Sequence, residues 1–152
     1  YLIWWGKNNL ENLREISKRL QLSQKDFNLL KSYSEICQKM PGLMSAWPSE
    51  LTFFLEKQKL EAIYCYDSLS EDDRVHSAVQ KFLTSWRDIR PYTTGSDLRA
   101  LPYPAGDWIS GVLTRLRKGW IDEEISSKEE ELKTLEYILP VFTKSLRQKT
   151  RQ

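Results

Sequence analysis

Apolar residues recur at three- and four-residue spacing through nearly every window of the chain, and no period-2 run of β-branched residues is sustained. The pattern predicts an all-α fold. Leu10, Leu13, Ile16 or Ser17, and Leu20 form a first stripe, with Asn8 or Asn9 as its cap. A second helix is expected from Ser23, where Asp26 completes a capping-box-like signal. Its stripe runs through Phe27, Leu30, Tyr33 and Ile36 or Cys37, and Pro41-Gly42 is expected to stop it. Pro48 suits a first turn leading Leu51, Phe54 and Leu55, and Leu60, Ile63, Tyr64 and Tyr66 mark a further helix. Ser70 with Asp73 opens the most regular one, whose stripe of Val75, Val79, Phe82, Leu83, Trp86 and Ile89 is expected to end before Pro91.

After Pro91 the pattern changes. The run Pro91-Tyr92-Thr93-Thr94-Gly95 separates a multi-helix bundle body, residues 1–91, from a small helical tail, residues 92–152. Gly95-Ser96-Asp97-Leu98 opens a short helix, and Pro102, Pro104 and Gly106 force a tight turn. Asp107 is placed to cap a helix over about 108–120. Ser127 with Glu130 makes a capping box for a last helix through Leu132, Leu135, Ile138 and Leu139, expected to end at Pro140.

A chain of 152 residues, 40% hydrophobic, can bury one good core or a core with a small satellite. Its apolar runs are too short for a membrane span, and the opening YLIWWGK is too short for a secretory signal, so a soluble, cytoplasmic chain is expected. The net charge of +2 conceals alternating blocks: residues 84–120 carry six Lys/Arg against three Asp/Glu, residues 121–139 two against seven. Such blocks can assemble a basic stripe on a nearly neutral protein, although charged runs are usually solvated helix faces.

Most catalytic chemistry finds no footing. Cys37 and Cys65 lack zinc-site spacing and fall at apolar-periodic positions, which reads as buried reduced thiols. His76 is the only histidine and has no nucleophile near it in sequence. Gly95-Ser96 invites comparison with nucleotidyltransferase active sites, but no D-x-D follows on a strand, so two-metal phosphoryl transfer is not supported. Asp97 reads as a helix-start residue, and Asp72-Asp73 and Asp122-Glu123-Glu124 as first-turn acids. Among the tryptophans, Trp86 and Trp120 read as core and Trp108 as the candidate for surface stacking on a base; Trp4 and Trp5 are expected to pack against a preceding segment.

Residues 94–138 carry a denser signal. Thr94, Gly95, Asp97, Leu98, Leu101, Gly106, Leu113, Asp122, Glu124 and Ile125 follow the order T-G-x-D-L, L-G-x-x-P-G-P, L-D-G-E-I. This region resembles the C-terminal part of bacterial tRNA nucleotidyltransferases, the CCA-adding and A-adding enzymes, and of the related poly(A) polymerases. Trp86-Arg87, Pro91 and Glu129-Glu130-Glu131-Leu132 look like the same family's flanks. The chain departs from the pattern at Pro102, where the family usually has Gly, at Ala105 and Asp107, which replace prolines around Gly106, and at Glu123, which replaces the Gly of L-D-G-E.

The resemblance implies a fragment, inactive alone, whose body and tail hold tRNA while an N-terminal catalytic head adds nucleotides with Mg2+ and ATP or CTP. The fragment itself is expected to carry no cofactor. An opening Tyr1-Leu2-Ile3-Trp4-Trp5 without Met fits that expectation. The expected RNA contacts are Arg87, Arg90 and Arg99 before the turn, Gly106 and Trp108 in it, and Arg115, Arg117 and Lys118 after it. Spacing of three puts Arg115 and Lys118 on one helical face, whereas Asp107 stands where a phosphate would dock. Recognition by backbone shape is expected, since no single-strand recognition fold is present. The alternative is a helical protein-interaction or dimerisation module without RNA contact, which the acidic segment 121–139 favours.

Overall fold

The computed structural model describes residues 10–104 and 106–149, which are helical for the most part and contain no strand. The caps expected at Asn8 or Asn9, the packing of Trp4 and Trp5, and Ala105 lie outside the described residues. Eight α-helices are described: α1 (Leu10–Arg19), α2 (Gln24–Leu43), α3 (Pro48–Leu55), α4 (Leu60–Leu69), α5 (Asp73–Thr84), α6 (Gly95–Arg99), α7 (Trp108–Ile121) and α8 (Lys128–Lys149), with a 3-10 turn at Trp86–Asp88. The chain forms two compact units, Tyr1–Arg87 and Asp88–Gln152.

In the first unit α2 is the central element, in contact with α1, α3 and α4, and α4 also meets α5. The core joins Tyr33, Ile36 and Met40 of α2 to Leu51 and Leu55 of α3, Ala62 and Ile63 of α4, and Val75, Val79 and Phe82 of α5. Burying a side chain the size of Leu55 contributes about 1.5–3 kcal/mol. Ser23 caps α2 as its position suggests, accepting from the Asp26 N–H at 3.2 Å. Buried Ser32 donates to Gln58 at 2.8 Å and accepts the Lys59 N–H at 2.7 Å, tying α2 to the start of α4.

Several expected ends move. Pro41 lies inside α2, which continues to Leu43, although an interior proline removes one hydrogen bond and costs about 3 kcal/mol or more. Buried Met40, with Leu43 and Met44 packed on the core, offsets that, and Met44 N–H closes the turn on Met40 O at 3.0 Å. The first stripe reaches Leu13, but Leu20 is outside α1 and exposed. There Gln21 takes φ 49°, and the chain turns back with Gln21 N–H on Lys18 O and Leu22 N–H on Ser17 O, a Schellman ending. Asp72, not Ser70, caps α5. That helix stops at Thr84, so Trp86 falls in the 3-10 turn and Ile89 beyond it.

In the second unit α7 packs on α6 and α8 around Leu98, Trp108, Val112, Leu116, Ile125 and Ile138. Pro140 does not end α8, which runs on to Lys149. Past the proline, Phe142 packs on the α7 core, and buried Thr143 donates to Leu139 O at 2.8 Å. The acids Asp122, Glu123 and Glu124 follow the C-terminus of α7 and open no helix: Asp122 is its buried C-cap.

Candidate nucleic-acid interface

The motif residues of the second unit build its frame. Thr94 and Asp97 form a complete capping box at α6: the Asp97 N–H donates to Thr94 Oγ1 at 3.3 Å, while the Thr94 N–H and hydroxyl donate to Asp97 Oδ2 at 2.8 and 2.7 Å. The same hydrogen bonds hold the Asp97 carboxyl below the usual aspartate value. Leu98, the next residue, is fully buried, and Leu101 packs beside it.

The proline turn is organised around Trp108. This side chain is 6% exposed, its indole Nε1 donates to Pro104 O at 2.8 Å, and Tyr103 meets its ring edge-on at 5.8 Å. Trp108 therefore cannot stack on a base. Gly106 is exposed, but its φ is not positive, and a Cβ there would meet Trp108 only at an ordinary 3.5 Å. Asp107 stands at the N-cap position of α7 with helical dihedrals and no side-chain cap bond; its carbonyl accepts from the Gly111 N–H and the Ser110 hydroxyl.

At its other end α7 turns through Glu123, the residue standing where the resembled pattern has Gly. Its φ is 60°, in the left-handed region that glycine enters without steric penalty. Glu123 N–H donates to Trp120 O and Ile125 N–H to Gly119 O, and Ile125 is buried. A Cβ on Gly119 would meet Ile125 Cδ1 at 2.7 Å.

A buried carboxylate fixes the entry to the unit. Glu131 on α8 is 1% exposed and accepts the Tyr92 N–H at 2.9 Å, the Thr93 N–H and hydroxyl at 2.6 Å each, and the Trp120 indole at 2.5 Å. Burial pushes its carboxyl up, but the hydrogen bonds from Thr93, Trp120 and Tyr92 outweigh burial and hold it below the ordinary glutamate value. In the sequence this residue is no more than a family flank, because its partners lie 11, 38 and 39 residues upstream.

The expected cations divide. Arg90 Nη1 and Arg117 Nε donate to one acceptor, the carbonyl of Ile89, at 2.8 and 3.0 Å. Two guanidinium groups from separate elements thus converge on one point. Arg115, two positions from Arg117 and so on another face of α7, lies with Nη1 2.9 Å from Glu124 Oε2. Lys118 is half-buried on α7, and Arg99 is exposed at the end of α6, its guanidinium beside Gly95. Arg87 belongs to the first unit, where it is exposed in the 3-10 turn.

No family model, curated protein or solved structure matches the chain.

In the first unit, His76 Nδ1 lies 2.8 Å from Asp67 Oδ1. A cleft of about 1110 Å³ is lined there by Tyr33, Cys37, Tyr66, Asp72 and Arg74 among others. Arg74 closes on Asp72 through two hydrogen bonds of 3.0 and 2.7 Å and holds its carboxyl below the usual range. Cys37 and Cys65 are both half-buried. Among the described residues no group of three or more His, Cys, Asp or Glu is placed to hold a metal ion, and no helix is long and apolar enough to cross a membrane.

Proposed function

We propose that this chain is the RNA-holding C-terminal region of a tRNA nucleotidyltransferase or poly(A) polymerase, positioning the 3′ end for a catalytic head that precedes it in the same polypeptide. The observation that carries the reading is the convergence of Arg90 and Arg117 on the Ile89 carbonyl. Two fork-shaped cations aimed at one oxygen can engage a phosphate, which offers several oxygens and a full negative charge. Supporting it, the T-G-x-D-L residues and the D-x-E-I residues Asp122, Glu124 and Ile125 have structural roles that suit a shared motif, including the left-handed backbone of Glu123 where the pattern carries Gly. Nucleotide transfer, with its Mg2+ and ATP or CTP, belongs to the head in this reading, and the setting is cytoplasmic. The test is fluorescence anisotropy of labelled tRNA. Arg90→Gln combined with Arg117→Gln should weaken binding about tenfold and reduce the salt slope by about one. An unchanged affinity in a variant that still melts cooperatively would remove the site.

A second reading, a protein-interaction or dimerisation module, is favoured by the outer side of α8. Tyr137 is 80% exposed and Val141 68%, four residues apart and therefore neighbours on the surface. Light scattering across a concentration series, with Val141→Glu as control, distinguishes this reading by a mass that rises with concentration only in the wild type.

A further inference from the structure

We propose that Glu124 competes with the RNA backbone for Arg115, so that α7 carries a phosphate contact which is withheld until RNA arrives; this inference rests on the RNA-holding reading above. Arg115 Nη1 is sealed from solvent and lies 2.9 Å from Glu124 Oε2, yet no hydrogen bond of acceptable geometry reaches that nitrogen. The pair is held by charge rather than by a well-directed bond, which makes it the kind of ion pair that a better acceptor displaces. Although Nη1 itself is covered, 38% of the Arg115 side chain and 42% of the Glu124 side chain are exposed, so the remainder of each group reaches solvent.

The placement of Glu124 is built into the fold. It follows Glu123, whose left-handed backbone turns the chain back over the end of α7, and it precedes buried Ile125, which anchors the turn. The carboxylate is therefore delivered to Arg115 by the same turn that ends the helix. Lys118 lies one turn along α7 from Arg115, so a strand of RNA that displaced Glu124 would meet two cations on one side of the helix. A phosphate is a stronger acceptor for a guanidinium than a single exposed carboxylate oxygen, because it can be bound by two parallel N–H bonds.

The experiment is a double-mutant cycle read by anisotropy of labelled tRNA at low salt, with melting curves to verify folding. Glu124→Gln should tighten binding about three- to fivefold, the range that an exposed ion pair worth up to about 1 kcal/mol sets. Arg115→Gln should weaken binding, and in that background Glu124→Gln should give no gain, because the cation it withheld is absent. Glu129→Gln, which removes an equal charge from an exposed position of α8, should not reproduce the effect. If the gain persists without Arg115, or Glu129→Gln gives it equally, the effect is general repulsion and the inference is wrong while the RNA reading stands. A wild type that binds and a Glu124→Gln that binds no tighter overturns it as well. If no form binds tRNA at low salt, the RNA reading falls and this inference with it. Should Glu124→Gln fail to fold, Glu124→Asp withdraws the carboxylate by one methylene and is read by the same criteria.

Discussion

Glu131 receives both the N–H and the hydroxyl of Thr93, each at 2.6 Å, so one buried carboxylate on α8 anchors the segment that leads into the Thr94 capping box. Glu131→Gln turns part of this acceptor into a donor facing donors. The expected cost is about 2–3 kcal/mol in urea unfolding, typical of losing a charge-assisted hydrogen bond and leaving a buried group unpaired. The carboxyl is held below its ordinary value of 4.5. Its contribution is therefore present above that value and lost as pH falls through the depressed one. Glu131→Gln should flatten the acid side of the stability profile; an unchanged profile would show that the carboxylate is not the anchor.

Glu123 adopts a left-handed φ of 60° that costs a side-chain-bearing residue about 1 kcal/mol. Glu123→Gly should relieve that cost, less the chain entropy glycine adds to the unfolded state, for a net gain of up to about 0.6 kcal/mol. Glu123→Val should destabilise. Thermal melts of both variants check the sign, and a glycine variant that melts lower would contradict the strain.

Gly111 brings α7 close to α8. A Cβ added there would meet the Phe142 ring at 2.7 and 3.0 Å, and an aromatic ring cannot yield as the end of a flexible side chain does. Gly111→Ala should cost about 1–3 kcal/mol by overpacking. Adding Phe142→Leu should recover part of it, since residues in contact couple. A fully additive double variant would mean the contact is not what limits position 111.

His76 is held protonated more readily than a free histidine, first by its hydrogen bond to Asp67, against some burial, and further by the charge of Asp67, the Ser70 backbone and Asp73. The raised value means that this pair's stabilisation is complete below the ordinary 6.5 and disappears as pH rises through the folded value. As the chain has one histidine, its NMR titration is unambiguous. The midpoint should lie above 6.5, and Asp67→Asn should lower it.

What could be read from the sequence was local. Ser23 with Asp26, and Ser127 with Glu130, are three residues apart and bond as their spacing indicates, whereas Asp97, read as the start of its helix, lies one turn in and is capped by Thr94. Apolar periodicity likewise identified Ile36, Ile63, Val79 and Phe82, which form the first core. The prolines misled, because Pro41 and Pro140 are strong helix breakers alone and are overruled by the packing of neighbours such as Met40 and Leu43, and Ile138 and Phe142. Trp108 read as surface from its place after a glycine turn, whereas the Pro104 carbonyl and the Tyr103 ring enclose it. Nothing in the spacing of Arg115 and Glu124, or of Arg117 and Ile89, announces that they meet. These pairs are joined by a chain reversal or stand 28 positions apart, and no local rule reaches that far.

The most direct test of RNA holding is the salt dependence of tRNA affinity, measured by anisotropy between about 50 and 200 mM salt. Three or four neutralised phosphates predict a log–log slope of about −3, made shallower by Arg90→Gln with Arg117→Gln. A flat dependence, or no binding at the lowest salt, would contradict it.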